Sequence, residues 1–95
     1  PTNNMNKQDI YEDAKETFGV PSQVDMLIEE MAELTHALLK WRRGRTTDMD
    51  YVNEEVVDVE ICLAQLKTGL NRQAMAKWEE IKLTRLQERI KNHKK

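Results

Sequence analysis

Apolar residues recur at intervals of three and four along most of the chain, which is the spacing of amphipathic helices. Four such stretches predict helices over about 7–18, 21–43, 50–68 and 72–91. Gly19, Gly44 and Gly69 follow the first three helices, and Asn71 is a suitable N-cap for the fourth. Three glycines, two prolines and five aromatic residues argue against a β-rich fold. The predicted class is therefore all-α, with four helices in a bundle.

The chain has room for one domain. It has 95 residues and a mass of 11.2 kDa, and a folded monomer of that mass buries only about 65% of the surface that it exposes when unfolded. We predict a single helical domain over residues 7–91, preceded by a disordered lead-in (1–6) and followed by a basic tail (92–95). A core of this size is marginal for a lone monomer.

Charge and cysteine content narrow the function classes. Fifteen basic and seventeen acidic residues leave a net charge of −2, which gives no electrostatic reason to expect nucleic acid or an anionic membrane as a partner. No apolar run approaches the ~20 residues of a membrane span and no secretory leader is visible, so we expect a cytoplasmic protein. Cys62 is the only cysteine, which excludes an internal disulfide and a cysteine-based zinc site. We expect it to be a small buried hydrophobe.

One acidic pattern occurs twice, in the second and third predicted helices. Glu29-Glu30-Met31-Ala32-Glu33-Leu34 is followed 25 residues later by Glu54-Glu55-Val56-Val57-Asp58-Val59. At about 100° per residue, Glu30 lies at the edge of an apolar stripe and Glu33 about 60° beyond it. Glu55 and Asp58 take the same two angular positions in the third helix. The two stripes are Val24, Leu27, Met31, Leu34 and Leu38, and Val52, Val56, Val59, Leu63 and Leu66.

An antiparallel hairpin of these two helices would bring Glu30, Glu33, Glu55 and Asp58 together. Like charges 4 Å apart repel by about 4 kcal/mol per pair at an effective dielectric constant near 20, so they either raise each other's pKa or require a counter-cation. Oxygen ligands favour Mg²⁺, with Mn²⁺ as a substitute. A solvated helix face is the usual explanation of one acidic pair, but the repetition at matched phase favours a metal site.

Basic residues form two groups that could bind phosphate. Four of them crowd the end of the second helix (40–45), where the helix dipole alone favours cations, so we interpret them as structural. On the fourth helix, Lys82 and Arg85 lie within about 60° of each other beside Trp78. Arginine suits bidentate contact with phosphate oxygens, and lysine acts as a point charge. We take Lys82, Arg85 and Trp78 as the candidate substrate-binding residues.

The paired acidic motif resembles the signature of the MazG-like, all-α nucleotide pyrophosphohydrolases. Glu29-Glu30-x-x-Glu33 followed by Glu55-x-x-Asp58 has both halves in the family's order. Lys82-x-x-Arg85 is similar to the basic element on the family's last helix. The resemblance covers about residues 24–89, and the chain looks like small stand-alone members of the superfamily, including phage-encoded ones.

The resemblance implies an enzyme that hydrolyses a (deoxy)nucleoside triphosphate between the α- and β-phosphates, with Mg²⁺, to the monophosphate and pyrophosphate. By position, the metal ligands would be Glu30, Glu33, Glu55 and Asp58. Lys82 and Arg85 would hold the phosphates, and Glu33 and Glu29 are the candidates for the catalytic base.

The resemblance also implies a homodimer or homotetramer with active sites near the subunit contacts. Base recognition in the family often involves aromatic side chains of the N-terminal helix and elsewhere. The candidates here are Tyr11, Phe18, Trp41 and Trp78. An aromatic residue at helical spacing is more often part of the core, so packing is the competing interpretation for all four.

Two other classes of protein fit parts of the sequence. A di-iron carboxylate bundle uses Glu-x-x-His motifs, and Glu33-x-x-His36 matches once, but the third helix has Ile61 at the equivalent position. A non-enzymatic helical interaction protein, with acids and bases in salt bridges between helices, would show no metal dependence.

Overall fold

The structure, a computed structural model, describes residues 6–94. Within that range the chain forms four helices and no strand: α1 (Lys7–Phe18), α2 (Val20–Arg42), α3 (Asp50–Lys67) and α4 (Arg72–His93). The predicted all-α class with four helices is confirmed. Most of the predicted lead-in (1–5) lies outside the described residues, as does Lys95. No helix in the described range combines the length and the apolar character needed to cross a membrane.

Local capping sets the helix boundaries. The side chains of Asn6 and Asn71 accept hydrogen bonds from the backbone N–H groups three residues on, each at 2.9 Å, as N-caps do. Gly19 alone joins α1 to α2, with a φ of 84° that favours glycine. Because Gly19 ends one helix and begins the next, α2 starts one residue earlier than predicted. α4 continues through His93, two residues beyond its predicted end.

α2 and α3 form the antiparallel hairpin that the sequence predicts. Near one end, the Gln23 side-chain amide donates a hydrogen bond to Oε1 of Gln65 at 3.2 Å. Near the other end, the Lys40 ammonium group lies 5.0 Å from the centre of the Tyr51 ring, a cation–π contact that gives this lysine a structural role. The loop over 43–49 connects the two helices.

The contact face between α2 and α3, called here the seam, follows the alternating steps of three and four of a coiled coil. Its positions on α2 are Gln23, Leu27, Glu30, Leu34 and Ala37, and its positions on α3 are Val52, Glu55, Val59, Cys62 and Leu66. Gln23, Leu27, Ala37 and Val52 are buried and the others are half-buried. The seam therefore contains two glutamates and a glutamine at positions where apolar residues normally pack.

Half of the residues of the predicted apolar stripes lie in this seam, and the other half lie beside it. Met31, Leu38, Val56 and Leu63, which we expected between the helices, are 38–44% exposed. The prediction was wrong for these residues because the apolar stripe of a helix includes the residues that face all of its neighbours. A single neighbouring helix covers only part of the width of that stripe. In an antiparallel pair these equivalent flanks face the same way. The four residues therefore form one exposed surface, the apolar flank.

α4 stands apart from the other helices of the described residues, so the four helices do not pack into one bundle within the single chain. Among the described residues α1 packs on α2 and α3, whereas α4 packs closely on no other helix. Only its start lines a shallow groove, with Tyr11 of α1 and Ala64 of α3. The chain exposes 8020 Å², against about 5,700 Å² for a compact monomer of this mass. Its radius of gyration is 17.0 Å, against about 12 Å.

Candidate metal centre

Three carboxylates from the repeated acidic motif meet in the seam. Glu30 occupies a seam position on α2 between Leu27 and Leu34, while Glu55 occupies a seam position on α3 and Asp58 lies one turn further along. One carboxylate oxygen of each lies within 4.8 Å of the other two, and all three residues are half-buried. In the described part of the chain, no other group of three potential ligand residues comes this close.

The electrostatics of this cluster are those of unneutralised like charges. Burial raises the pKa of Glu30 above its usual range, and the neighbouring carboxylates of Asp58 and Glu33 raise it further. Burial likewise raises the pKa of Glu55, with added contributions from Asp58 and Glu30. Every charge that shifts these two pKa values is another carboxylate, so no basic side chain of the described residues neutralises the cluster.

One buried oxygen atom tests whether the residues fit a cation. Oε2 of Glu55 is buried and has no hydrogen-bond partner. A buried carboxylate oxygen without a donor is costly, since neither water nor protein replaces its lost hydration. Three carboxylate oxygens with no basic side chain beside them match the ligand preference of Mg²⁺ or Mn²⁺. The residues present therefore fit a divalent cation.

The remaining two acids of the first motif lie at the rim of the cluster. Glu33 is exposed and outside the group of three, but its negative charge raises the pKa of both Glu30 and Glu55. Glu29 is also exposed, and its charge raises the pKa of Glu30 alone. The structure thus brings three of the four predicted ligands together and leaves Glu33 and Glu29 as accessible neighbours.

The predicted phosphate-binding residues do not join the cluster within one chain. Lys82, Arg85 and Trp78 are exposed on α4, where the Lys82 ammonium group lies 5.9 Å from the centre of the Trp78 ring. Lys82 and Arg85 border an open groove on α4 itself. Neither cation is among the charges that shift the pKa of Glu30 or Glu55. These residues are exposed in the single chain because α4 packs closely on no other helix of the described residues.

Histidine and cysteine give no second type of metal site. His36 is exposed, and the group of three ligand residues found among the described residues contains no histidine. Cys62 is half-buried in the seam rather than fully buried. Burial raises the pKa of its thiol, as do the nearby carboxylates of Glu30 and Asp58. The sequence signal for this proximity is that Cys62 lies one turn after Asp58.

A groove beside the carboxylate cluster is bordered by one aromatic candidate and by two glutamines that the sequence did not single out. Phe18, the most exposed of the aromatic candidates at 67%, borders it together with Gln23 and Gln65. Tyr11 is half-buried, while Trp41 is 43% exposed and Trp78 53% exposed, so none of the four is a fully buried core residue. Gln23 went unnoticed because a single glutamine carries no motif; its signal is a polar residue at a seam position.

The fold and site together define an all-helical chain with a three-carboxylate candidate for a divalent cation site. Comparison with protein-family models, with curated proteins and with solved structures finds nothing that matches this chain. Its function therefore has to be inferred from these side chains and their chemistry.

Proposed function

We propose that the chain is a Mg²⁺-dependent nucleoside triphosphate pyrophosphohydrolase of the MazG-like type. Its substrate would be a (deoxy)nucleoside triphosphate, its products the monophosphate and pyrophosphate, and its location the cytoplasm, where such substrates occur. The observation that carries the proposal is the convergence of Glu30, Glu55 and Asp58 from the two halves of the motif, with one buried oxygen lacking a partner. A solvated acidic face would not bury such an atom.

The carboxylates of Glu30, Glu55 and Asp58 would hold Mg²⁺, with Mn²⁺ as a substitute. When bound, such an ion neutralises the negative charge that develops on the phosphoryl oxygens. The α2–α3 hairpin supplies the rigid support, since all three side chains project from well-formed helices.

Glu33 is the stronger candidate for the catalytic base. Its carboxylate is accessible and close enough to act electrostatically on both Glu30 and Glu55, whereas Glu29 acts on Glu30 alone. In the proposed step a water oxygen bonds to the α-phosphorus, the bond from that phosphorus to the bridging oxygen breaks, and pyrophosphate leaves. The proton of the water passes to a carboxylate oxygen of Glu33.

An oligomer would supply what the single chain lacks. The apolar flank and the apolar residues of α4 are exposed in the single chain. A second copy of the chain carries the same apolar surfaces and could cover them. We propose a homodimer or homotetramer in which α4 brings Lys82 and Arg85 to a carboxylate cluster, where they would bind the phosphates, with Trp78 beside them.

The test is a panel of ribo- and deoxyribonucleoside triphosphates incubated with the protein, with and without Mg²⁺. We expect Mg²⁺-dependent formation of monophosphate and pyrophosphate, and at least a 100-fold lower rate for Glu55→Gln and Asp58→Asn. The matched control is Glu60→Gln, an exposed carboxylate on the same helix, which should keep full activity. Orthophosphate as the product, or full activity in Glu55→Gln, would contradict the proposal. No metal-dependent reaction across the panel would favour a non-enzymatic interaction protein.

A further inference from the structure

The start of α4 meets the start of α1 and the end of α3 at a groove of about 470 Å³, called here the junction groove. Gln8 and Tyr11 border it from α1, Lys67 and Thr68 from the end of α3, and Arg72 from α4. Apart from this meeting point, α4 packs closely on no other helix of the described residues. A ligand in the junction groove would therefore contact both α4 and the hairpin that carries the carboxylate cluster.

Two basic side chains from different helices border the junction groove. Lys67 is the last residue of α3 and Arg72 is the first residue of α4. Because both border the same groove, their like charges repel each other unless an anion lies near both. Glu79 is the single acidic residue among those that border the groove, and it lies two helical turns, about 10 Å along α4, from Arg72. The groove is therefore basic beside the turn that joins α3 to α4.

The local backbone does not require this pair of cations. Gly69 N–H donates to the carbonyl of Leu66 and Leu70 N–H to that of Lys67, at 3.0 and 3.1 Å, so the last carbonyl groups of α3 are satisfied without the Lys67 ammonium group. The dipole of α3 favours Lys67, whereas the dipole of α4 disfavours Arg72, and the first turn of α4 contains no acidic residue. α4 itself thus gives no reason for a cation at position 72.

The side chains around these cations suit a phosphate group. Arginine presents a planar fork that contacts two phosphate oxygens, and lysine adds a point charge. On the α1 side, the half-buried Tyr11 carries a phenol and Gln8 an amide, and both are neutral hydrogen-bond donors. The Gln8 amide uses one of its two N–H bonds to donate to Glu12 at 2.9 Å. Cations on one side and neutral donors on the other favour a ligand with several acceptor oxygens and a negative charge.

We propose that the junction groove is a phosphate-binding site in which Lys67 and Arg72 hold one anion between them, and that this anion fixes the direction of α4. The bound anion removes the repulsion between the two cations and links both sides of the α3–α4 turn through one ligand. The site is separate from the carboxylate cluster, whose three residues do not border the groove. It does not depend on the proposed hydrolysis. Since α4 also carries Lys82 and Arg85, an anion that directs α4 would regulate that reaction.

Binding is tested by NMR titration of the metal-free protein with orthophosphate, pyrophosphate and deoxyadenosine 5′-monophosphate. At least one of these probes should give saturable shifts of the backbone amide signals of Thr68 and Arg72. Binding of either inorganic probe identifies an inorganic ligand, and binding of the nucleotide alone identifies a phosphate group carried on a larger molecule; both results support the site. No saturable shift with any probe, or shifts confined to Lys82 and Arg85, would overturn the proposal.

Charge-neutral variants test the two cations. Arg72→Gln and Lys67→Gln should each raise the Kd of the bound probe about tenfold or more, because each removes charge-assisted hydrogen bonds to the phosphate oxygens. Lys77→Gln is the matched control, since Lys77 is an exposed cation on α4 that does not border the groove, and its Kd should equal that of the wild type. An unchanged Kd in Arg72→Gln would contradict the proposal. These titrations contain no metal and no triphosphate, so their outcome is independent of whether the chain hydrolyses nucleotides.

The control of α4 is tested by a distance measurement within one chain. Spin labels are attached at Glu60→Cys on α3 and Gln87→Cys on α4, both exposed positions, in a Cys62→Ser background diluted with unlabelled chain. The bound anion should narrow the distribution of distances in pulsed EPR, and Arg72→Gln should abolish the narrowing. A distribution that stays the same while the anion binds at Thr68 and Arg72 would refute the control of α4.

Discussion

Replacing Met31 by lysine is expected to keep the chain monomeric. Met31 belongs to the apolar flank and is 44% exposed in the single chain. The accessible surface of the chain exceeds that of a compact monomer by about 2,300 Å². Stable interfaces bury about 1,200–2,000 Å² in total, and obligate dimers bury more, so the excess is large enough to be the contact area of a second copy.

The magnitude follows from placing an ammonium group within that proposed contact. An unpaired charge in a desolvated interface costs on the order of 2–4 kcal/mol, and each 1.4 kcal/mol corresponds to a tenfold change in Kd. Met31→Lys should therefore weaken the dimer at least about 30-fold. Val56→Lys, across the same flank on α3, should act similarly, and the double variant should be weaker than either.

Sedimentation equilibrium or light scattering measures the effect directly. The wild type should have a mass of at least twice 11.2 kDa at micromolar concentration, and Met31→Lys should approach 11.2 kDa. Thr47→Lys, an exposed substitution in the loop over 43–49, controls for the added charge and should leave the oligomer intact. A wild type that stays monomeric over a wide concentration range would refute the reasoning, and so would a Met31→Lys variant that associates as tightly as the wild type.

Three further predictions concern stability. Because the pKa of Glu30 is raised above 4.5 in the folded state, the folded protein binds protons that the unfolded chain releases. In EDTA, the melting temperature should therefore rise as the pH is lowered through the raised pKa of Glu30 towards 4.5, and Glu30→Gln should reduce that slope; a slope unchanged by the substitution would contradict the account. Leu27→Ala should lower the free energy of unfolding by about 2–4 kcal/mol in urea titrations, since Leu27 is 6% exposed. Leu39→Ala, at a 44% exposed position, should lower it much less. Similar losses in the two variants would mean that the seam is not the core. Gly19→Ala should lower the free energy of unfolding by about 1–3 kcal/mol, because a residue with a side chain is strained at a φ of 84°. The added Cβ would meet only ordinary contacts, so this loss comes from the backbone. Gly69→Ala should therefore be far milder.

Helices and their ends were within reach of sequence analysis because their causes are local. Asn71 predicts its own helix start through the cap it makes, and Gly19 predicts a junction through the backbone conformation that it alone adopts easily. The repeated acids were also visible, since their spacing places Glu30 and Glu55 at the same phase in both helices. These features depend on neighbours within a few residues along the chain.

The sequence did not predict the features that depend on which helix packs on which face of another. The apolar pattern of α2 fixes the direction of its total apolar arc, but the partner helix covers only the part that includes Leu27 and Ala37. α4 packs closely on no other helix of the described residues, and no local sequence signal predicts that separation. The burial of Gln23, its bond to Gln65 and the unpaired Oε1 are properties of the folded structure, so the sequence does not reveal them.

The glutamates in the seam have an evolutionary consequence. Leucine at positions 30 and 55 would complete the coiled-coil pattern between α2 and α3, so the sequence that packs best is not the sequence with the carboxylate cluster. Selection for thermal resistance alone would drive both positions towards aliphatic residues, and the proposed chemistry would be lost as stability increased. A laboratory evolution experiment that selects only on heat tolerance should therefore fix substitutions at Glu30 and Glu55 early.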